Sequence, residues 1–170
     1  VGNATQKGSQ PTCLQCASGT DYNNVDDKWN STSVCTPCSI PNIDGSDGIV
    51  ETTCTVSSDT VFASLNKCNK GSKVTEVGSV GSNTQKGSQP TCTGCSTGVN
   101  YNNVDGKWNS TSVCTACSTP NADGSDGIVE TTCTVSSDTV FESLNKCNKG
   151  SKVKTARSLG SPTELGSQPT

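Results

Sequence analysis

The chain has 170 residues, a formal net charge of −3 and a calculated pI of 4.8, a balance that lacks the basic face nucleic acid requires. Only 29% of its residues are apolar and 4% aromatic, too few to fill a conventional core, so the fold must be held by other means. No run of eighteen apolar residues occurs, which excludes a membrane-spanning helix.

Taken in order, the chain states one sequence twice. Residues 8–74 return as 87–153 at an offset of 79. Each copy carries six cysteines: Cys13, Cys16, Cys35, Cys38, Cys54 and Cys68, then Cys92, Cys95, Cys114, Cys117, Cys133 and Cys147. A period this strict marks an array of structural units. The expected division is a first repeat over 1–79 with its core at 8–74, a second over 80–158 with its core at 87–153, and 159–170 as linker and start of a third. Gly166–Thr170 repeats Gly8–Thr12 and Gly87–Thr91, each followed at once by cysteine, so the natural chain is expected to continue with cysteine as part of a longer array.

Within a repeat, the polar entry Gly8–Thr12 delivers the chain to Cys13-Leu14-Gln15-Cys16. A polar loop follows with two aromatic side chains, Tyr22 and Trp29, read as covers for disulfides rather than as a carbohydrate contact. Cys35-Thr36-Pro37-Cys38 closes the loop, and Ser39–Gly48 is a run of turn residues. Ile49–Val56 is rich in β-branched residues and predicts a strand. Ser57, Ser58 and Asp59 offer helix caps, and Val61, Phe62, Leu65 and Cys68 follow at helical spacing up to Gly71. These signals predict one short helix, with a strand over Thr60–Phe62 competing for the same residues. The fold class expected is small disulfide-rich repeats, mostly irregular or β with one short helix each, in an elongated tandem array.

Four chemistries compete for these residues. The C-x2-C pairs, eighteen residues apart, suit a four-thiolate zinc ribbon, but Cys54 and Cys68 are left over in each copy and disulfides are preferred. Six cysteines allow fifteen pairings. The preferred set is Cys13–Cys35, Cys16–Cys38 and Cys54–Cys68, because a bond inside C-x2-C closes too small a loop to gain much entropy. Thiol redox catalysis would want a βαβ setting, and none is legible. Asn42, Asp44, Asp47 and Glu51, echoed by Asn121, Asp123, Asp126 and Glu130, gather oxygen ligands at a Gly-rich turn. They miss the EF-hand order and read as a solvated turn. The chain holds no histidine, so no Ser-His-Asp or Cys-His arrangement exists, no catalytic residue is assigned and no enzyme is expected. No cofactor is expected, with zinc as the minority alternative. Sequons at Asn3, Asn30 and Asn109 are glycosylation candidates and, with the cysteines, point outside the cell.

With the repeat spelled out, the chain resembles the immobilisation antigens of ciliates. The likeness rests on tandem units built on C-x2-C pairs (Cys13/Cys16, Cys35/Cys38, Cys92/Cys95, Cys114/Cys117), Thr/Ser/Asn/Gly filler and near-verbatim duplication. It implies a non-catalytic, glycosylphosphatidylinositol-anchored coat of the cell surface. The expected partners are neighbouring coat proteins or the chain itself, with membrane contact only through a lipid anchor outside this segment. The competing reading is an adhesin or receptor-type module using Tyr22, Trp29, Tyr101 and Trp108 as its contact surface.

Overall fold

The computed structural model describes residues 8–26 and 31–170; Asn3, Trp29 and Asn30 lie outside the described residues. Ten short strands form five separate two-stranded antiparallel pairs, and no helix occurs among the described residues. The protein is a small disulfide-rich fold of β ribbons and irregular chain.

Two compact units do not share the boundaries of the sequence repeat. One unit holds the described residues up to Leu65 together with Ser79–Gln89; the other holds Asn66–Gly78 and Pro90–Thr170. The Gly/Ser-rich stretch between the two six-cysteine sets is therefore structural. It gives its tip to the first unit and its two flanks to the second.

In the first unit, β1 (Asp21–Tyr22) pairs with β2 (Thr36–Pro37), and β3 (Ile49–Thr52) pairs with β4 (Val61–Ala63). The β3 backbone bonds on its other side to the 79–89 turn. The Val50 N–H donates to Val80 O at 2.9 Å and the Gly87 N–H to Val50 O at 2.9 Å. Gly87 is required there, because a Cβ would meet Ser79 O at 2.5 Å and Ile49 Cβ at 2.8 Å. The core of this unit is Cys38, Ile49, Val50 and Cys54, half of it sulfur-bearing.

In the second unit, β5 (Ser72–Glu76) pairs with β6 (Thr91–Gly94), β7 (Asn100–Tyr101) with β8 (Thr115–Ala116), and β9 (Ile128–Thr131) with β10 (Val140–Glu142). Residues 158–167 close on β9 as 79–88 close on β3, with the Val129 N–H on Leu159 O and the Gly166 N–H on Val129 O. Cys68, Val74, Trp108, Ile128, Val129 and Cys133 are buried here.

The expected helix after Ser57 is replaced by the competing strand, β4. Two local features divert the cap signal. Thr55 Oγ1 accepts the N–H groups of Ser57 (3.3 Å) and Ser58 (3.1 Å), forming a turn that competes with a helical start. The Asp59 carboxylate bonds Ser39 and its neighbour Thr60 rather than the amides of a first helical turn. Val61–Ala63 is then free to pair with β3, and its β-branched and aromatic side chains suit a sheet.

Candidate functional site

Sulfur bridges define the frame. Five disulfides form: Cys16–Cys35 and Cys38–Cys54 in the first unit, and Cys68–Cys92, Cys95–Cys114 and Cys117–Cys133 in the second. None of the three preferred pairings, Cys13–Cys35, Cys16–Cys38 and Cys54–Cys68, occurs. Three of the four C-x2-C pairs, Cys35/Cys38, Cys92/Cys95 and Cys114/Cys117, instead send their two sulfurs in different directions. Cys35 reaches back to Cys16, whereas Cys38 reaches forward to Cys54, just past β3. Loop entropy alone could not choose among these pairings, since the closed loops differ little in length. The strand pairing chooses: β1 against β2 carries Cys35 towards Cys16, and the chain beyond β3 carries Cys54 to Cys38. Cys68–Cys92 joins the last cysteine of one repeat to the first of the next. Cys13 and Cys147 are the two free thiols, and both are exposed.

A carboxylate staple reinforces each frame. Ser118 donates to Asp138 twice, from its N–H at 2.7 Å and from its hydroxyl at 2.6 Å, and the Thr139 N–H adds a third bond at 2.7 Å. Asp59 receives the same set from Ser39 and Thr60. Burial pushes both carboxyls up, but the bonds from Ser118 or Ser39, from the following threonine amide and from the Tyr101 or Tyr22 hydroxyl outweigh it. Both end below the ordinary aspartate range. Tyr101 is raised in turn, by burial first and then by the Asp138 charge. A depressed carboxyl stabilises the fold above its unfolded pKa of about 3.9, and the gain is lost as pH falls through the folded value. Stability against denaturant should therefore be flat near neutral pH and fall below about pH 4. Asp138→Asn, which cannot titrate, should flatten part of that fall. An unchanged acid limb in the variant would remove Asp138 from the account.

The other sequence candidates have structural duties. Asp47 Oδ2 accepts the Asn42 N–H at 2.9 Å and Asp44 Oδ1 the Ser46 N–H at 2.9 Å; Asp126 and Asp123 repeat this with Asn121 and Ser125. These carboxylates close their own turn, as the solvated-turn reading expects. The Ser125 N–H and hydroxyl and then Arg157 hold Asp123 below the usual range against its partial desolvation. Two groups of potential ligand atoms lie within 4.8 Å of one another among the described residues, Cys16/Asp21/Cys35 and Cys38/Cys54/Asp59. The sulfurs in both are already bonded to each other. Trp108 is buried at 7% exposure, and Asn109 beside it is exposed.

Sequence reading missed a groove in the first unit. It has a volume of about 210 Å³ and is lined by Leu14, Gln15, Cys16, Asn23, Ser33 and Val56, among others. Leu14 is 91% exposed on its rim. The signal that could have found it was the repeat itself, since the counterparts of these residues hold a segment of chain in the second unit.

No protein-family model, curated protein or solved structure matches this chain. The class it defines is a disulfide-rich fold of short β ribbons, and its many disulfides suggest an extracellular or secreted protein.

Proposed function

We propose that the chain is part of a non-catalytic surface coat of the immobilisation-antigen type, lipid-anchored through a segment outside these residues and glycosylated at exposed Asn109. The observation that carries this reading over an adhesin is the state of the aromatic side chains. Trp108 is buried, and Tyr101 is tied to Asp138, so both serve the frame rather than forming an open ledge. A cross-linked frame with exposed polar loops suits a passive coat that resists unfolding and proteolysis while its loops vary. Exposed Leu14, Ile40, Ile43 and Val34 lie in those loops, and three of the four are replaced in the second copy by Thr93, Thr119 and Ala122. The reading assigns no metal to the cysteines.

Intact source cells provide the test. A membrane-impermeant amine reagent should label the protein, a phosphatidylinositol-specific phospholipase should release it, and a glycosidase should lower the mass of the Asn109 peptide. The purified protein should lose its shape on gentle reduction and keep it in chelator. Recovery from the cytosol with reduced, metal-bound cysteines would overturn the reading.

A further inference from the structure

Five aspartates are followed by glycine: Asp44, Asp47, Asp105, Asp123 and Asp126. An Asp-Gly step carries a latent reaction. The glycine amide nitrogen can attack the carboxyl carbon of the side chain before it and close a five-membered imide, and glycine has no side chain to hinder the approach. In a folded protein the rate depends on where amide and carboxyl are held.

Four of the five steps are locked against it. The N–H groups of Gly45, Gly48, Gly124 and Gly127 donate to the carbonyls of Asn42, Gly45, Asn121 and Gly124 at 2.8–3.2 Å. Their aspartates face other amides: Asp44 that of Ser46, Asp47 that of Asn42, Asp123 that of Ser125 and Asp126 that of Asn121. Gly48 and Gly127 are also walled in, since a Cβ there would meet Ala63 O at 2.0 Å or Glu142 O at 1.9 Å.

Asp105 and Gly106 have the opposite arrangement. The Gly106 N–H donates to Asp105 Oδ1 at 3.0 Å, so the nucleophile already faces the carboxyl it would attack. Both residues are exposed, and a Cβ on Gly106 would meet nothing within 4 Å, which leaves room for the tetrahedral intermediate. Asp59 and Asp138 also meet the amide that follows them, at 2.7 Å, but it belongs to a buried, β-branched threonine, and Ser39 or Ser118 holds the carboxylate. The first repeat reads Asp26-Asp27 at this place and lacks the glycine.

The step lies in a strap that holds its surroundings. Asn102 O accepts the Gly71 N–H at 2.8 Å, Lys107 O the Cys68 N–H at 2.8 Å and Trp108 O the Gly78 N–H at 2.7 Å. We propose that Asp105–Gly106 is a site of spontaneous backbone rearrangement, and that its conversion to isoaspartate loosens the strap over Cys68. The Gly106 nitrogen gives up its proton and bonds to Asp105 Cγ, and the carboxyl oxygen leaves as water. Water then adds to either imide carbonyl. Opening at the side-chain carbonyl restores aspartate; opening at the main-chain carbonyl gives isoaspartate, with one more carbon in the backbone. One water leaves and one enters, and no electrons are transferred. The added carbon falls between the Asn102 and Lys107 carbonyls and shifts their register.

The test ages the full, disulfide-bonded chain at neutral pH in water carrying heavy oxygen, which each imide opening places in the product. Trypsin frees residues 87–107, in which Asp105 is the sole aspartate. That peptide should gain label, and isoaspartate, on the order of tenfold faster than the other four Asp-Gly steps. In the reduced chain unfolded in urea all five should react alike. Hydrogen exchange at the Cys68 amide should quicken in the aged protein and stay unchanged in aged Asp105→Glu, whose longer side chain does not close the five-membered ring. Equal labelling of the five steps in the folded protein, or an unchanged Cys68 amide once isoaspartate has formed, would overturn the proposal. The chemistry is indifferent to where the protein resides, so the coat reading is judged separately by its labelling and release.

Discussion

Replacing Cys117 and Cys133 together by alanine should destabilise the second unit far more than replacing Cys95 and Cys114 together. The two bridges close loops of similar separation, 16 and 19 residues, so their chain-entropy contributions are nearly equal. Each is about 3 kcal/mol, and the difference in loop length changes that by roughly 0.2 kcal/mol. What separates them is burial. Cys133 is 1% exposed and sits with Ile128 and Val129, whereas Cys95 and Cys114 are both half-buried. Removing the inner bridge therefore loses the cross-link and also opens a gap in a core that has few other side chains. The added cost is about 1–2 kcal/mol, by the measure of a buried methylene or two. A small unit has only a few kcal/mol to lose, so the inner double variant should be largely unfolded at 37 °C while the outer one remains folded. Guanidinium midpoints by tryptophan fluorescence would read the difference. Equal midpoints would mean that sulfur serves this fold as a tether alone and not as core.

The sequence announced its frame more clearly than its pairing. Six cysteines per repeat in an apolar-poor chain required cross-links, and β-branched Ile49–Val56 predicted a strand; the cross-links are present, and the strand is present over its first half, Ile49–Thr52. The pairing was illegible because it depends on which strands meet, and two-residue strands such as β1 and β2 leave no periodic trace. Val61 and Phe62 were ambiguous for a physical reason. Three apolar residues fit one helical face or one short strand equally well, and the partner decides. The sharpest departure is at 79–89, where Gly/Ser-rich sequence looks like a spacer. Its backbone donors and acceptors instead complete β3, and Gly87 is a glycine because Ile49 and Ser79 leave no room for a Cβ. Turn composition reports the local conformation of such a stretch but says nothing of what its backbone bonds to.

The two copies of one asparagine offer the second large effect, because their surroundings differ while their sequence does not. Asn102 is 5% exposed; its Oδ1 accepts the Val104 N–H at 2.9 Å and its Nδ2 donates to Ser72 O at 2.8 Å. Asn102→Ala leaves both groups without this partner at a buried position and should cost about 2–4 kcal/mol. Asn23 keeps the first bond, to the Val25 N–H at 3.0 Å, but its Nδ2 meets only Ser33 Oγ at 3.4 Å in a half-buried setting. Asn23→Ala should cost about 1 kcal/mol. Asn102→Asp separates the two bonds: it keeps the acceptor for Val104, loses the donor to Ser72 and adds a charge, and should be at least as damaging as alanine. Thermal melts of the three variants would measure all three costs. Equal costs for Asn102→Ala and Asn23→Ala would mean that the bond to Ser72 O is not what makes Asn102 matter.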